Sequence, residues 1–138
     1  MTPSLLALLG YTTWMLLLVG IILFIRVPLT LTGKRAANQF SPAGDDVSPF
    51  SGRVARAHAN CYENLPVFAG LIVVAHLAGH HDITDRLALA VVGARVVQSL
   101  IHLASTSPAA VTLRFVAFSA QWLVQASWAF ELARVGLA

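Results

Sequence analysis

The sequence predicts an all-α fold, an integral membrane four-helix bundle forming a single domain over residues 1–138. Charged residues make up only 11% of the chain and apolar residues 57%, with mean hydropathy +0.74. A water-facing domain of this length carries about 25% charged residues. Four long apolar stretches recur, at Ser4–Ile25, Val54–Ala78, Arg86–Ala104 and Pro108–Leu132. A lone cysteine, Cys61, excludes an intramolecular disulfide framework.

The first stretch runs for 22 residues without a charge, long enough at 1.5 Å per residue to cross a ~30 Å hydrocarbon core. Its helix is expected over 4–26, ending at Arg26. Met1–Ser4 lacks basic residues and the apolar run exceeds a signal-peptide core, so this helix is expected to persist in the mature protein. A long connection follows, broken by Pro28, Gly33, Pro42, Gly44 and Pro49. The second, third and fourth helices are expected over 52–79, 84–105 and 108–135, and their short connections make them antiparallel neighbours. Arg26, Lys34, Arg35, Arg53 and Arg56 cluster in or beside the first loop, whereas the second has no Lys or Arg before Arg86. The positive-inside rule then puts loops 1 and 3 in the cytoplasm and both termini on the opposite side. The pI near 9.8 thus has a topological origin and needs no nucleic-acid partner.

Three of the four spans carry one polar stripe each. Arg53, Arg56, Asn60 and Glu63 are spaced 3, 4 and 3, one face of the second helix. Arg95, Gln98 and His102 are spaced 3 and 4 on the third, and Arg114, Gln121 and Gln125 are spaced 7 and 4 on the fourth. Counting from the loop 1 side, Arg56, Asn60 and Glu63 lie roughly 6, 12 and 16 Å deep, and His102, Gln98 and Arg95 roughly 4, 10 and 15 Å. Arg114 lies about 9 Å deep on the same scale. Matching depth predicts a buried ion pair between Glu63 and Arg95, whose disruption would cost ~3–5 kcal/mol. With that carboxylate used, Arg26, Arg53, Arg56 and Arg114 have no counter-charge at similar depth, and arginine cannot shed its proton. A cationic cavity of this kind suits a carboxylate or phosphate guest. Two simpler accounts compete: the polar groups hold the helices together, and Arg26 and Arg53 snorkel to lipid phosphates. A proton relay through Glu63, Arg95 and His102 is disfavoured by the clustering toward one face. Trp14, Trp122 and Trp128 read as packing or interfacial residues, and Pro66 is expected to kink the second helix.

The run Arg56-Ala57-His58-Ala59-Asn60-Cys61-Tyr62-Glu63-Asn64-Leu65-Pro66 resembles the second-helix signature of the MAPEG family, the membrane-associated proteins in eicosanoid and glutathione metabolism. Ala94-Arg95 followed by Gln98 and His102 resembles its third helix. The resemblance implies a homotrimer that binds glutathione between subunits near the cytoplasmic side. It also implies hydrophobic small molecules or lipids as second ligands and a glutathione transferase or peroxidase activity. Arg26, Arg53, Arg56, Asn60, Glu63, Arg95, Gln98 and His102 would then form or support the glutathione site, with Arg114 stabilising the thiolate. The chain departs from the family pattern at Ala59, His102 and Phe115, the last of which leaves no serine beside Arg114. A non-catalytic lipid or glutathione binder on the same scaffold is the alternative. No CxxC or HExxH motif suggests a metal, and the adjacent His80 and His81 read as solvated loop residues.

Overall fold

A computed structural model describes residues 1–137 of the chain. The described residues form five α-helices: α1 (Pro3–Leu31), α2 (Pro49–Leu77), α3 (Asp82–Asp85), α4 (Ala88–Ala104) and α5 (Pro108–Gly136), with a short 3-10 turn at Ala37–Gln39. The all-α character is as expected, but the helices number five where four were expected, because the third expected span is split. Leu87 leaves the helical region (φ −124°, ψ −1°) and separates the single turn α3 from α4.

Each long helix except α4 begins with the same device. Thr2, Ser48 and Ser107 accept a backbone N–H from Leu5, Ser51 and Ala110, and each is followed by a proline in the first turn. A hydroxyl cap satisfies one orphan donor, and proline at this position lacks an N–H that would have no helical partner. The cap moves the start of α2 back to Pro49, ahead of the expected Gly52. At the far end of α2, Gly79 (φ +75°) allows His80 N–H to reach Ala75 O at 2.8 Å and its own N–H to reach His76 O at 3.1 Å. These are the paired bonds of a Schellman ending. α1 does not stop at Arg26 but continues through Pro28 to Leu31. Proline removes one helical donor without reversing the chain; the reversal occurs at Gly33 (φ +69°), after which Arg35 N–H bonds Leu29 O at 3.1 Å.

α1 packs on α2 and α4, and α4 on α5. Small residues at the crossings, Ala7, Ala57, Cys61 and Ala88, are buried and let the backbones approach. Tyr11 stacks on Phe68 (5.2 Å between centroids), Phe68 meets Trp128 (6.1 Å), and Tyr11 Oη donates to Cys61 O at 3.0 Å. Trp128 is therefore a core residue, whereas Trp122 is 59% exposed. The outward faces are apolar: Leu16, Leu17, Phe24, Phe115 and Phe130 are all exposed, a surface suited to lipid. By length and composition α1 is long and apolar enough to cross a membrane, and α4 is a shorter apolar helix.

At the end of the bundle where α1 begins, Asp85 fastens the chain. One carboxylate oxygen accepts the Ser4 N–H at 2.9 Å and the Ser4 hydroxyl; the other accepts His81 Nδ1–H at 2.8 Å. Thr2 Oγ1 is hydrogen-bonded to His76 Nε2 at 2.8 Å, so α1, α2 and α3 are joined at one point. Burial pushes the Asp85 carboxyl up, but the bonds from Ser4 and His81 outweigh it and hold the group below its ordinary range. A depressed native value stabilises the fold above the unfolded carboxylate value, near pH 4, and the contribution is lost as pH falls through the native value. Asp85→Asn is expected to lower stability by about 1–3 kcal/mol near neutral pH. The gap from wild type should close as the pH drops below 4, as read by thermal unfolding in detergent across pH.

Candidate functional site

α2 and α5 both begin, and α4 ends, at the opposite end of the bundle. Their termini enclose a cavity of about 330 Å³. Its walls include Pro49 and Gly52 in the first turn of α2, and Thr106 and Val111 around the start of α5. Helix N-termini carry partial positive charge and unbonded N–H groups, so two of them at one hollow favour an anion before any side chain is counted. The side chains add to the same sign. Arg53 and Arg56 of α2, His102 of α4 and Arg114 of α5 all line the cavity.

These groups are differently held. Arg53 donates Nε–H to Leu103 O at 2.8 Å, and its guanidinium carbon lies 5.7 Å from the Phe50 ring centroid. Arg56 is exposed and Arg114 half-buried. Among the described residues the ion pairs are Arg35–Asp46 (2.6 Å) and His81–Asp85 (2.8 Å), so none of the three cavity arginines has a carboxylate partner. His102 is half-buried and its Nδ1 has no hydrogen-bond partner. The backbone of Arg114 is clamped from behind, where Gln98 donates Nε2–H to Arg114 O at 3.2 Å.

The rest of the α2 stripe opens elsewhere. Asn60 and Glu63 line a groove of about 400 Å³ between α2 and α5, with Asn64 and Gln125 beside them and Val67, Phe118 and Trp122 as apolar walls. Seven residues of helix separate Arg56 from Glu63, about 10 Å along α2. A cationic hollow and a carboxylate-bearing groove thus lie in series along one helix.

Glu63 and Arg95 do not form the expected pair within the chain. Glu63 is exposed toward the groove. Arg95 is 1% exposed, with Nη1 donating to Asn60 O at 3.4 Å and its guanidinium 6.0 Å from the Tyr11 ring centroid. Its Nε and Nη2 have no partner. Glu63 faces the groove shared with α5, whereas Arg95 meets Asn60 O and the Tyr11 ring of α1; helical spacing within each helix does not fix how the helices are rotated against one another.

Gln98, Gln121 and Gln125 are buried as a ladder. Gln121 donates to Gln98 Oε1 at 3.2 Å and Gln125 to Gln121 O at 3.3 Å. Gln98 therefore stands one layer behind the cavity wall and joins α4 to α5, as interhelical adhesion predicts. Arg26 lies at a separate hollow with Val27, Thr30 and Phe40. It donates Nη2–H to Ser41 O at 2.7 Å and sits 5.3 Å from the Phe40 centroid, holding loop 1 against α1. Buried Cys61 contacts Ser99 Oγ at 3.4 Å.

Sequence reasoning passed over one charged lining residue, Asp45. It reaches the cavity because loop 1 folds down on α2. Gly44 has φ +71°, and a Cβ there would lie 3.0 Å from Ser51 O; a Cβ on Gly52 would lie 3.3 Å from Asp45 Cα. Two glycines flanking the Ser48-Pro49 helix start are the trace this packing leaves in the sequence.

The geometry accords with the comparisons. A family model for the MAPEG family matches residues 4–134. This chain belongs to the MAPEG family. As a MAPEG protein it is membrane-associated, and its exposed apolar helix faces are consistent with that setting. Neither the curated proteins nor the solved structures contain a match.

Because Glu63 has no cation partner among the described residues, Glu63→Gln is expected to change unfolding free energy by less than about 1 kcal/mol. A loss above about 3 kcal/mol in denaturant titration would reveal a buried counter-ion. Gly44→Ala is expected to destabilise by about 1–3 kcal/mol through the left-handed backbone it must adopt, and to loosen loop 1 as read by limited proteolysis.

Proposed function

We propose that this protein is a membrane-embedded glutathione-binding protein acting as a glutathione transferase or peroxidase on hydrophobic electrophiles. The observation that carries this is a single cavity lined by Arg53, Arg56 and Arg114, none of them in an ion pair among the described residues. Glutathione carries two carboxylates, an ammonium and a thiol, and Arg forks suit carboxylates. The nearby Glu63 groove offers a carboxylate about 10 Å farther along α2, within reach of a tripeptide. Arg95, buried with two unpartnered guanidinium nitrogens, and Asn60, whose carbonyl it meets, support the pocket wall from behind, as does Gln98.

Bound glutathione supplies the thiol nucleophile. The guanidinium of Arg114 favours negative charge on sulfur and so lowers the cost of releasing the thiol proton. Arg53 and Arg56 hold carboxylates, and His102 faces the same space. The exposed apolar faces give a lipid-soluble electrophile a route from the bilayer to the site, and holding both reactants together removes much of the entropic barrier. We further propose a homotrimer with loops 1 and 3 in the cytoplasm and both termini opposite, a multi-pass arrangement supported by the family and by the basic residues at the cavity end. A non-catalytic glutathione or lipid binder is the second proposal, favoured by Phe115, which is 68% exposed and sets no hydroxyl beside Arg114.

Titration calorimetry with glutathione in detergent tests the binding. Arg56→Ala is expected to weaken affinity by about tenfold or more, with wild-type affinity falling as salt rises. Arg114→Ala is expected to keep binding within about tenfold while losing most conjugation or peroxidase turnover. Full turnover in that variant removes Arg114 from the chemistry, and tight binding without turnover in wild type selects the non-catalytic alternative.

A further inference from the structure

Arg26 is the basic residue that the cationic cavity leaves aside. It stands toward the end of α1 in a hollow of about 390 Å³ between α1 and loop 1. The other lining residues are Val27, Thr30, Leu31, Ala37 and Phe40, none of them charged. The apolar wall is uncovered, with Val27 45% and Leu31 82% exposed. Phe24, Val27 and Leu31 are spaced 3 and 4, so they share one outward face of α1. That face ends at the polar turn Thr32-Gly33-Lys34, about 7 Å of helix beyond Arg26. Arg26 therefore lies close to the level at which acyl chains give way to headgroups.

Its guanidinium is held in place. Nη2–H bonds Ser41 O at 2.7 Å, and the Phe40 centroid lies 5.3 Å from the guanidinium carbon. The same ring has a second guanidinium, that of Arg35, at 5.0 Å. The two are treated differently. Arg35 is neutralised by Asp46 at 2.6 Å, whereas Arg26 forms no ion pair among the described residues and its enclosed Nε has no acceptor. Lys34, exposed where loop 1 begins, also has no ion pair among the described residues. A flexible arginine at a membrane surface snorkels to whichever phosphate is near. One tied to a loop carbonyl and an aromatic ring presents its charge at a fixed place, beside a fixed apolar wall.

We propose that this hollow binds an anionic phospholipid of the adjacent leaflet, with the headgroup phosphate on Arg26 and an acyl chain descending past Leu31, Val27 and Phe24. The site is separate from the anion cavity and does not depend on what that cavity binds. A water-soluble anion satisfies the guanidinium and leaves the apolar wall wet. A neutral hydrocarbon covers the wall and leaves the charge bare. A phosphate-bearing amphiphile does both at once. Lys34 adds a second uncompensated cation, which favours a headgroup with net negative charge and repels a choline.

Native mass spectrometry of the purified full chain tests this, after release from nanodiscs of equal parts phosphatidylglycerol and phosphatidylcholine. Wild type is expected to retain phosphatidylglycerol about fivefold or more over phosphatidylcholine, the factor one well-placed basic residue supplies. In Arg26→Gln the two lipids should be retained within about twofold of each other. Arg134→Gln removes an equal charge at the opposite end of the bundle and should leave the wild-type preference intact. Leu31→Gln alters only the exposed wall and should lower phosphatidylglycerol retention several-fold, which decides the matter if Arg26→Gln does not fold. The same preference in wild type and Arg26→Gln overturns the proposal, as does full retention in Leu31→Gln. Displacement of the lipid by excess glycerol 3-phosphate makes the hollow a site for a soluble phosphate and overturns the lipid assignment. Retention by the monomer but not by an assembled oligomer shows that a second copy of the chain covers the hollow, with the same consequence.

Discussion

Positive charge gathered at one end of the bundle, with no ion-pair partner among the described residues, is the constraint around which the rest is arranged. α2 and α5 bring their N-termini to the same hollow, and Arg53, Arg56 and Arg114 project into it from those two helices. Guanidiniums remain charged in any environment found in proteins. Keeping several together near a low-dielectric region is unfavourable unless water, lipid phosphate or an anionic guest offsets them. The scaffold tolerates the cluster because each backbone near it is separately secured. Ser48 and Ser107 cap the two helices, Leu103 O receives Arg53, and Gln98 holds the carbonyl of Arg114. Those contacts hold the surrounding wall without neutralising the arginines.

The interior obeys a different rule. Between α4 and α5 the glutamine ladder supplies hydrogen bonds without net charge, which is cheaper to bury than ions. Arg95 is the exception, fully enclosed with two guanidinium nitrogens unpartnered and the face of Tyr11 near its charge. Buried charge without a partner is costly and is rarely kept for stability alone. Its contact with Asn60 O links it to the helix that carries both the cavity and the groove. At the remote end, Asp85 and Ser4 join α1 to α3 and leave the cavity end free of that fastening.

Much of the architecture was legible in residue order. The long apolar stretches, the Ser-Pro starts and the glycines after α1 and α2 mark elements whose formation depends on local chemistry. The exceptions have local causes too. A proline inside a helix looks like a terminus in sequence but removes only one hydrogen bond, so α1 passes Pro28. Leu87, an ordinary apolar residue, gives no warning that the third span breaks there. Of the candidate site, the convergence of Arg53, Arg56, His102 and Arg114 followed from depth, because rise per residue is constant along a helix. Arg26 was placed at the correct end of the bundle but faces a hollow of its own.

By itself the sequence determined the helical, lipid-compatible character of the chain, the face on which each polar stripe lies and the end of the bundle where basic groups collect. All three depend on spacing within one helix, which residue order dictates. Tertiary structure alone decided the rotation of each helix about its axis, and with it the separation of Glu63 from Arg95 and the division of the α2 stripe between cavity and groove. It also decided that loop 1 folds back to bring Asp45 among the arginines. Such relations arise from side-chain packing between distant segments and from the positive-φ turn at Gly44, and linear spacing carries no information about azimuth or about where a loop comes to rest.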